Sequence, residues 1–192
     1  MGQNEEAEKE YILALEADPN NAVSHTNYGN FLLQMERGEE AEKQYQLALN
    51  IDPKNAAAHN NYGVLLERMG NKDEARKQYQ LALEADPNHT AAHYHYGNIL
   101  SETGRYEEAE KHYLLALSTD PLNASARYNY GNLLQQMGCY EDAEKQYLLA
   151  LEIDPENVDM HWNYGILLEE MGRKEEAAMQ YLLALEASSD NV

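Results

Sequence analysis

The amino-acid sequence predicts an all-α solenoid, in which antiparallel helix pairs stack side by side. Two observations predict this fold class: a 34-residue period that runs through the chain, and two helical patterns of apolar residues within each period. A solenoid unit buries its apolar face only against its neighbours, so a strict period of this length is typical of such folds. The period is plainest at the five prolines, each of which follows an aspartate: Pro19, Pro53, Pro87, Pro121 and Pro155.

The first helix of each period is predicted from apolar side chains that recur every three or four residues. In the second period, between Asn55 and Met69, they define one buried stripe: His59, Tyr62, Leu65, Leu66 and Met69. Each period also has a Tyr-Gly pair in this helix, with the glycines at positions 29, 63, 97, 131 and 165. A glycine inside a helix costs about 1 kcal/mol relative to alanine. We therefore expect the neighbouring helix to approach closely at this glycine.

The second helix follows after a short connection. Gly70-Asn71-Lys72 suits the turn of an antiparallel helix pair, and the second helix then presents its own stripe: Ala75, Tyr79, Ala82 and Leu83. Its first turn is acidic in each period, which the positive end of the helix dipole favours. The next first helix begins at a predicted asparagine N-cap, with His89 the exception: Asn21, Asn55, Asn123 and Asn157.

Composition excludes several classes of function. The 192 residues include 34 acidic and 14 basic side chains, a formal charge of −20, which argues against nucleic-acid binding because phosphate recognition depends on clustered Lys and Arg. No apolar run is long enough to cross a membrane, and no secretory signal is visible. The single cysteine, Cys139, cannot form an internal disulfide or a cysteine-rich zinc site. We therefore expect a cytoplasmic protein without a cofactor.

The second period resembles the signature of the tetratricopeptide repeat family: an aromatic residue, Leu-Gly, alanine, an aromatic residue, alanine and proline. Here the signature reads His59, Tyr62-Gly63, Ala75, Tyr79, Ala82 and Pro87, with a polar ring first and tyrosine in place of leucine. The resemblance implies a right-handed superhelix of helix pairs. It divides one continuous repeat domain, residues 1–192, into the second helix of an incomplete repeat and five repeats: 1–21, 22–55, 56–89, 90–123, 124–157 and 158–192.

The resemblance also implies that the first helices line an inner, concave surface. The residue three before the glycine is aromatic in three successive repeats: Tyr94, Tyr128 and Trp162. The residue two before it is polar in all five: Asn27, Asn61, His95, Asn129 and Asn163. The residue one after it is asparagine in three: Asn30, Asn98 and Asn132.

These side chains predict a groove for an extended protein segment. Amides offer donors and acceptors to a peptide backbone, and flat aromatic rings serve as anchors. The asparagines are similar to a ladder in the repeat arm of O-linked N-acetylglucosamine transferase. Co-chaperones of the family that grip acidic tails use lysines and arginines at set places on this face in three adjacent repeats, and the matching places in this sequence hold none. We expect a protein or peptide partner that is neutral, aromatic-apolar or basic rather than acidic.

Two other functions remain open. Residues 5–17 and 177–187 carry apolar second-helix patterns that could stack end to end on other copies, which would make the chain a structural self-assembly module. The chain could also be the substrate-targeting arm of a larger enzyme. It carries no catalytic constellation, so we expect no enzyme activity of its own. His89 and His93 have a metal-compatible spacing but occupy cap and packing positions, so no metal site is expected.

Overall fold

The computed structural model describes residues 2–189, and the described residues form eleven α-helices without a β-strand. The helices are α1 (Gly2–Ala17), α2 (Ala22–Gln34), α3 (Gly38–Ile51), α4 (Ala56–Arg68), α5 (Lys72–Ala85), α6 (Thr90–Glu102), α7 (Tyr106–Thr119), α8 (Ala124–Gln136), α9 (Tyr140–Ile153), α10 (Val158–Glu170) and α11 (Lys174–Ser189). The predicted all-α class is confirmed. The last three residues of the predicted fifth repeat, 190–192, lie outside the described residues. The chain divides into two compact units, residues 1–96 and 97–192.

The two helices of a pair bury the stripes that the sequence predicts. In the second repeat, Ala75, Tyr79 and Ala82 of α5 are fully buried, and Leu65 and Leu66 of α4 are nearly so. Burying a large apolar side chain contributes roughly 1.5–3 kcal/mol, so this interface is a main source of stability.

The predicted stripe is wrong at its last residue. The Met69 side chain is 47% exposed, because Met69 caps the C-terminus of α4 and no longer follows the buried side of the helix.

The glycine inside each first helix lies against a tyrosine ring of the second helix. A Cβ atom on Gly63 would lie 2.5 Å from Tyr79 Cε1, and one on Gly131 would lie 3.1 Å from Tyr147 Cε1. The predicted close approach is confirmed. It allows a fully buried ring to pack directly on the backbone of the partner helix.

The turn between the paired helices needs a residue in the left-handed region. Gly70 has φ +80° and donates to Glu67 O at 2.9 Å, while Asn71 N donates to Leu66 O at 2.8 Å. These two bonds close the last turn of α4 as a Schellman motif. In the first repeat, Glu36 takes the glycine's place with φ 59°, at a cost of about 1 kcal/mol for a side chain in this region.

The start of each predicted first helix is capped by a side chain. Asn55 Oδ1 accepts a hydrogen bond from Ala58 N at 3.0 Å, and the other predicted caps accept the equivalent bond: Asn21, Asn123 and Asn157. His89, the one position without an asparagine, caps its helix in the same way: His89 Nδ1 accepts a hydrogen bond from Ala92 N at 3.2 Å. An unprotonated ring nitrogen therefore satisfies the helix end as an amide oxygen does.

The polar ring that replaces the family's first aromatic residue finds partners inside its own repeat. His59 Nε2 donates to Pro53 O at 3.1 Å, and His59 Nδ1 lies 2.7 Å from Gln78 Oε1 on α5. These contacts tie the Asp-Pro turn, the first helix and the second helix together. The same two contacts recur at His25, His161 and, through its guanidinium group, Arg127.

Neighbouring helix pairs are joined by bonds between tyrosine and glutamate. Tyr28 OH donates to Glu8 Oε1 at 2.9 Å, and Arg37 Nη1 lies 2.6 Å from the same oxygen. The hydrogen bonds from Arg37 and Tyr28 lower the pKa of Glu8. The second unit repeats the arrangement at Tyr164, Arg173 and Glu144.

Candidate functional site

A cavity of about 400 Å³ in the first unit is lined by side chains of α2, α4 and α6. Three of its residues are predicted site residues: Asn30, Asn61 and His95. Val64 and Arg68 also line it, and Arg68 forms no ion pair within the part of the chain that the structure describes. The remaining predicted amide of this unit, Asn27, is exposed on α2.

The amides of this cavity form one hydrogen-bonded chain. Tyr45 OH and Asn61 Nδ2 both donate to Asn30 Oδ1, each at 2.8 Å. Asn61 Oδ1 in turn accepts from Asn60 Nδ2 at 2.9 Å. Asn60 is only 4% exposed, and its Oδ1 is a buried acceptor that no described residue serves. The chain therefore ends on an oxygen that lacks a donor.

His95 closes the same cavity with a neutral ring. Its ring stacks on Tyr79 at a centroid distance of 5.4 Å and lies 4.9 Å from the ring of Tyr94. Burial, together with the smaller effect of the nearby His89, lowers the pKa of His95 to about 4. The position that holds asparagine in the other repeats is thus uncharged here near neutral pH.

In the second unit, the first predicted amide pair repeats the pattern of Asn30. Asn98 Oδ1 accepts from Tyr113 OH at 2.7 Å and from Asn129 Nδ2 at 3.1 Å. Asn98 and Asn129 belong to neighbouring first helices, so the shared acceptor holds those helices in register. Much of the hydrogen-bonding capacity of these two amides is used within the protein.

A second cavity, of about 440 Å³, lies farther along the second unit. Two predicted amides line it, Asn132 and Asn163, together with four other residues: Gln135, Gln136, Tyr140 and Glu170. Gln135 Nε2 donates to Glu170 Oε2 at 3.0 Å. Asn163 Nδ2 donates to Tyr128 OH at 2.6 Å and to Asp159 O at 2.9 Å.

The three predicted aromatic anchors belong to different units. Tyr94 lies in the first unit beside His95. In the second unit, the ring of Tyr128 lies 6.1 Å from that of Tyr147, and the ring of Trp162 lies 5.0 Å from that of Tyr181. Trp162 is 49% exposed, whereas Tyr94 and Tyr128 are half-buried.

Asn60 lines the first-unit cavity, and Gln135 and Tyr140 line the second-unit cavity, although the sequence did not single them out as site residues. Asn60 and Thr26 occupy the position of the aromatic anchors, but both are buried at 4% exposure. Small polar side chains fit under the neighbouring helix there, whereas large rings do not. Gln135 and Tyr140 were also not predicted. Only Gln135 could have been found from the sequence, because it lies at a fixed repeat position, four residues after the glycine.

Three further findings concern other kinds of site. Within residues 2–189, no group of three or more His, Cys, Asp or Glu side chains could hold a metal ion. None of the described helices is long and apolar enough to cross a membrane. Cys139, at the turn before α9, is exposed.

Family models of the tetratricopeptide repeat match the chain at residues 63–124, 20–88 and 112–145, and in two further pieces at 1–21 and 158–191. A model described as TPR repeat matches residues 131–172. The matches together extend over nearly the whole chain, as the repeat period predicts. No curated protein matches the chain by sequence.

Solved structures share the fold over most of their length. YrrB, a TPR protein with an unusual peptide-binding site, is 23% identical with a TM-score of 0.74, and the match covers 94% of this chain and 93% of YrrB. MamA from Desulfovibrio magneticus RS-1 is 21% identical with a TM-score of 0.77, covering 88% and 96%. PilF from Pseudomonas aeruginosa is 25% identical with a TM-score of 0.78, covering 86% and 76%. With its repeat period, its helix pairs and these matches, the chain belongs to the tetratricopeptide repeat family.

Proposed function

We propose that this interaction scaffold binds an extended segment of a partner protein against the exposed side of its first helices. One observation carries the proposal: in each unit, amides at the same repeat positions line an open cavity, Asn30 and Asn61 in the first and Asn132 and Asn163 in the second. YrrB, which shares the fold, has a peptide-binding site. That likeness supports a peptide as the ligand class without identifying the peptide.

The chemistry of the first cavity suits a peptide backbone. An extended segment presents one N–H donor and one carbonyl acceptor per residue. Asn60 Oδ1 is a buried acceptor without a donor, and Asn30 Nδ2 bonds no residue within 2–189. A carbonyl group of a peptide would supply the partner that Asn30 Nδ2 lacks, whereas the buried Asn60 Oδ1 is out of reach of a ligand. Because such a partner is a backbone atom, this hydrogen bonding would not depend on the amino-acid sequence of the ligand.

Aromatic rings and charge define the kind of segment. Trp162, which is half exposed, and Tyr128 offer flat apolar faces in the second unit, and Tyr94 offers one in the first. The formal charge of the whole chain is −20, which disfavours an acidic ligand. The proposed partner is therefore a neutral, aromatic-apolar or basic protein segment. The protein has no catalytic step in this proposal.

The test is selection of binders from a random peptide library displayed on phage, with the full chain immobilised. Selected peptides are synthesised with a fluorescent label, and their affinities are measured by anisotropy. The groove variant is Tyr94→Ala/Tyr128→Ala/Trp162→Ala. We expect it to lose at least about tenfold in affinity, since aromatic anchors often contribute more than 1 kcal/mol each.

A matched control removes similar apolar area elsewhere. Leu114, Leu148 and Leu182 lie on second helices and are 50%, 45% and 49% exposed. Their triple alanine variant is expected to keep its affinity within about twofold. Circular dichroism first establishes that both variants are as helical as the parent. Equal losses in the two variants, or the absence of any enriched peptide, would contradict groove binding.

Self-assembly is a second candidate, favoured by two exposed positions. Leu185 on α11 is 60% exposed, whereas Leu151 at the same repeat position is partly buried. Ala14 on α1 is exposed, whereas Ala48 at the same position is fully buried. Sedimentation velocity over a range of concentrations tests this candidate. Association that Leu185→Lys abolishes would support it, and a strict monomer at the highest concentration would contradict it.

A further inference from the structure

We infer that the second-unit cavity is a subsite for an arginine side chain of the bound segment. The inference rests on the proposed function, because it assumes that a peptide lies against the first helices of this unit. It goes further by assigning one side-chain class to one cavity. That cavity is the one lined by Asn132, Gln135, Gln136, Tyr140, Asn163 and Glu170.

The starting point is a break in the internal symmetry of the repeats. Where the pattern is complete, one asparagine oxygen receives two donors: Asn30 Oδ1 from Tyr45 OH and Asn61 Nδ2, and likewise Asn98 Oδ1 from Tyr113 OH and Asn129 Nδ2. In both places the asparagine oxygen accepts two hydrogen bonds. The repeat that contains Asn132 departs from this pattern.

The departure lies in the hydrogen bonds of Asn163. The equivalent donor to Asn132 would be Asn163 Nδ2, but that group donates to Tyr128 OH and to Asp159 O instead. Tyr128 occupies the repeat position that Thr26 holds before Asn61; its hydroxyl accepts from Asn163 on the next helix, whereas Thr26 Oγ1 donates to Ala22 O of its own helix. Asn132 therefore loses the amide donor that its counterparts have.

The same repeat gains an acceptor. Tyr147 OH lies within hydrogen-bond distance of both Asn132 Oδ1 and Gln135 Oε1. A phenol carries one proton, so it serves one of these oxygens at a time. The Gln135 amide cannot turn over without breaking the bond from its Nε2 to Glu170. If the Asn132 amide turns over, its oxygen is the one left without a donor.

Charge points the same way. Glu170 uses Oε2 to accept from Gln135, and its Oε1 accepts no hydrogen bond from a described residue. The residues that line this cavity include Glu170 and no Lys, Arg or His, whereas the first-unit cavity contains Arg68 and no carboxylate. The second-unit cavity thus combines a surplus of acceptors with a negative charge. It fits a ligand that is cationic and rich in donors.

Arginine meets these requirements better than lysine. A guanidinium group carries five N–H donors in a planar fork, so it can bond a carboxylate and an amide oxygen at once. Its flat face also stacks on aromatic rings, and Tyr140 stands in the cavity wall. Lysine would supply a single compact charge with weaker geometric selection.

The test compares two peptides that differ only at the central side chain. The probes are acetyl-Ala-Tyr-Arg-Tyr-Ala-amide and its citrulline analogue, which is neutral and nearly the same shape. Each is titrated into the 15N-labelled full chain, and the indole N–H resonance of Trp162 is followed, because Trp162 is the only tryptophan and adjoins Asn163. We expect the arginine peptide to bind about tenfold more tightly.

Two charge-matched variants complete the experiment. Glu170→Gln keeps the shape of the side chain and should reduce the arginine preference to about twofold or less. Glu156→Gln removes an exposed carboxylate from a turn of the same unit and should leave the preference unchanged. Equal affinities for the two peptides, no saturable shift up to about 10 mM peptide, or equal effects of the two substitutions would overturn the subsite.

The outcome separates the subsite from the proposed function. If library peptides bind in a way that needs Tyr128 and Trp162 but show no preference for arginine over citrulline, groove binding stands and the arginine subsite is wrong. If the parent protein prefers arginine over citrulline and Glu170→Gln removes this preference, the arginine subsite is supported. That result does not depend on which peptides the library yields.

Discussion

His59 Nδ1 lies 2.7 Å from Gln78 Oε1, and this contact joins two side chains that are only 6% and 8% exposed. Neither group can turn to water when its partner is lost. His59→Phe or Gln78→Leu alone should therefore lower the unfolding free energy by about 1–3 kcal/mol, because each leaves a buried polar group unpaired. The double variant should cost less than the sum of the two, by about 1 kcal/mol. Urea unfolding followed by circular dichroism measures the coupling, and strict additivity would contradict it.

The helix glycines differ in how closely the tyrosine ring approaches. A Cβ atom would meet Tyr79 Cε1 at 2.5 Å from Gly63 but Tyr147 Cε1 at 3.1 Å from Gly131. Alanine gains about 1 kcal/mol in helix propensity at either site, whereas overpacking a rigid core costs about 1–3 kcal/mol. Gly63→Ala should therefore destabilise the protein more than Gly131→Ala. Thermal unfolding of the two variants tests the order, which the reverse result would refute.

Glu36 occupies a backbone conformation that suits glycine. Its φ is 59°, whereas the equivalent Gly70 has φ +80° with no atom near its missing Cβ. Glu36→Gly should raise the unfolding free energy by about 1 kcal/mol, less the extra entropy of glycine in the unfolded chain. Gly70→Ala should have the opposite sign. Denaturant midpoints of the two variants measured side by side provide the check; two shifts of the same sign would exclude this explanation.

Acid should destabilise the protein through His95. Burial lowers its pKa from 6.5 to about 4, so between these values the unfolded chain binds a proton that the folded chain does not. Stability therefore rises with pH across this window, and up to about 3 kcal/mol is lost as the pH falls from 6.5 to 4.

The control for this prediction is built into the repeats. His95→Asn introduces the side chain that the other four repeats carry at this position, namely Asn27, Asn61, Asn129 and Asn163. The slope of unfolding free energy against pH should become shallower between pH 6.5 and about 4, even if the variant loses the stacking on Tyr79. An unchanged slope would show that other groups carry the acid sensitivity.

Several features of the fold could be predicted because they are local. The caps at Asn55 and its equivalents, the turn at Gly70 and the contact of Gly63 with the next helix all follow from residue types at fixed spacing. Met69 was misassigned for a local reason as well, since periodicity cannot show where a helix stops. The side-chain partners of His59 were not predicted, because they lie on a turn and a helix that only packing brings together.

The candidate site divides in the same way. Repeat positions identified Asn30, Asn61, His95, Asn132 and Asn163 as candidate site residues, and each of them lines the cavity of its own unit. The repeat position of a residue could not show which of its side-chain atoms already form hydrogen bonds within the protein. Asn60 and Thr26 stand in register with Trp162 but are buried, because burial depends on side-chain volume against the neighbouring helix.

The sequence by itself determined the helix pairs, their period, the glycine contacts and the family, because these depend on a pattern that repeats every 34 residues. Only the tertiary structure decided that Tyr128 takes the amide of Asn163 and leaves two oxygens, on Asn132 and Gln135, to share one phenolic proton. The physical reason is that a difference of about one ångström in interatomic distance decides which atoms form a hydrogen bond between two helices. Residue spacing along the chain carries no information at that scale.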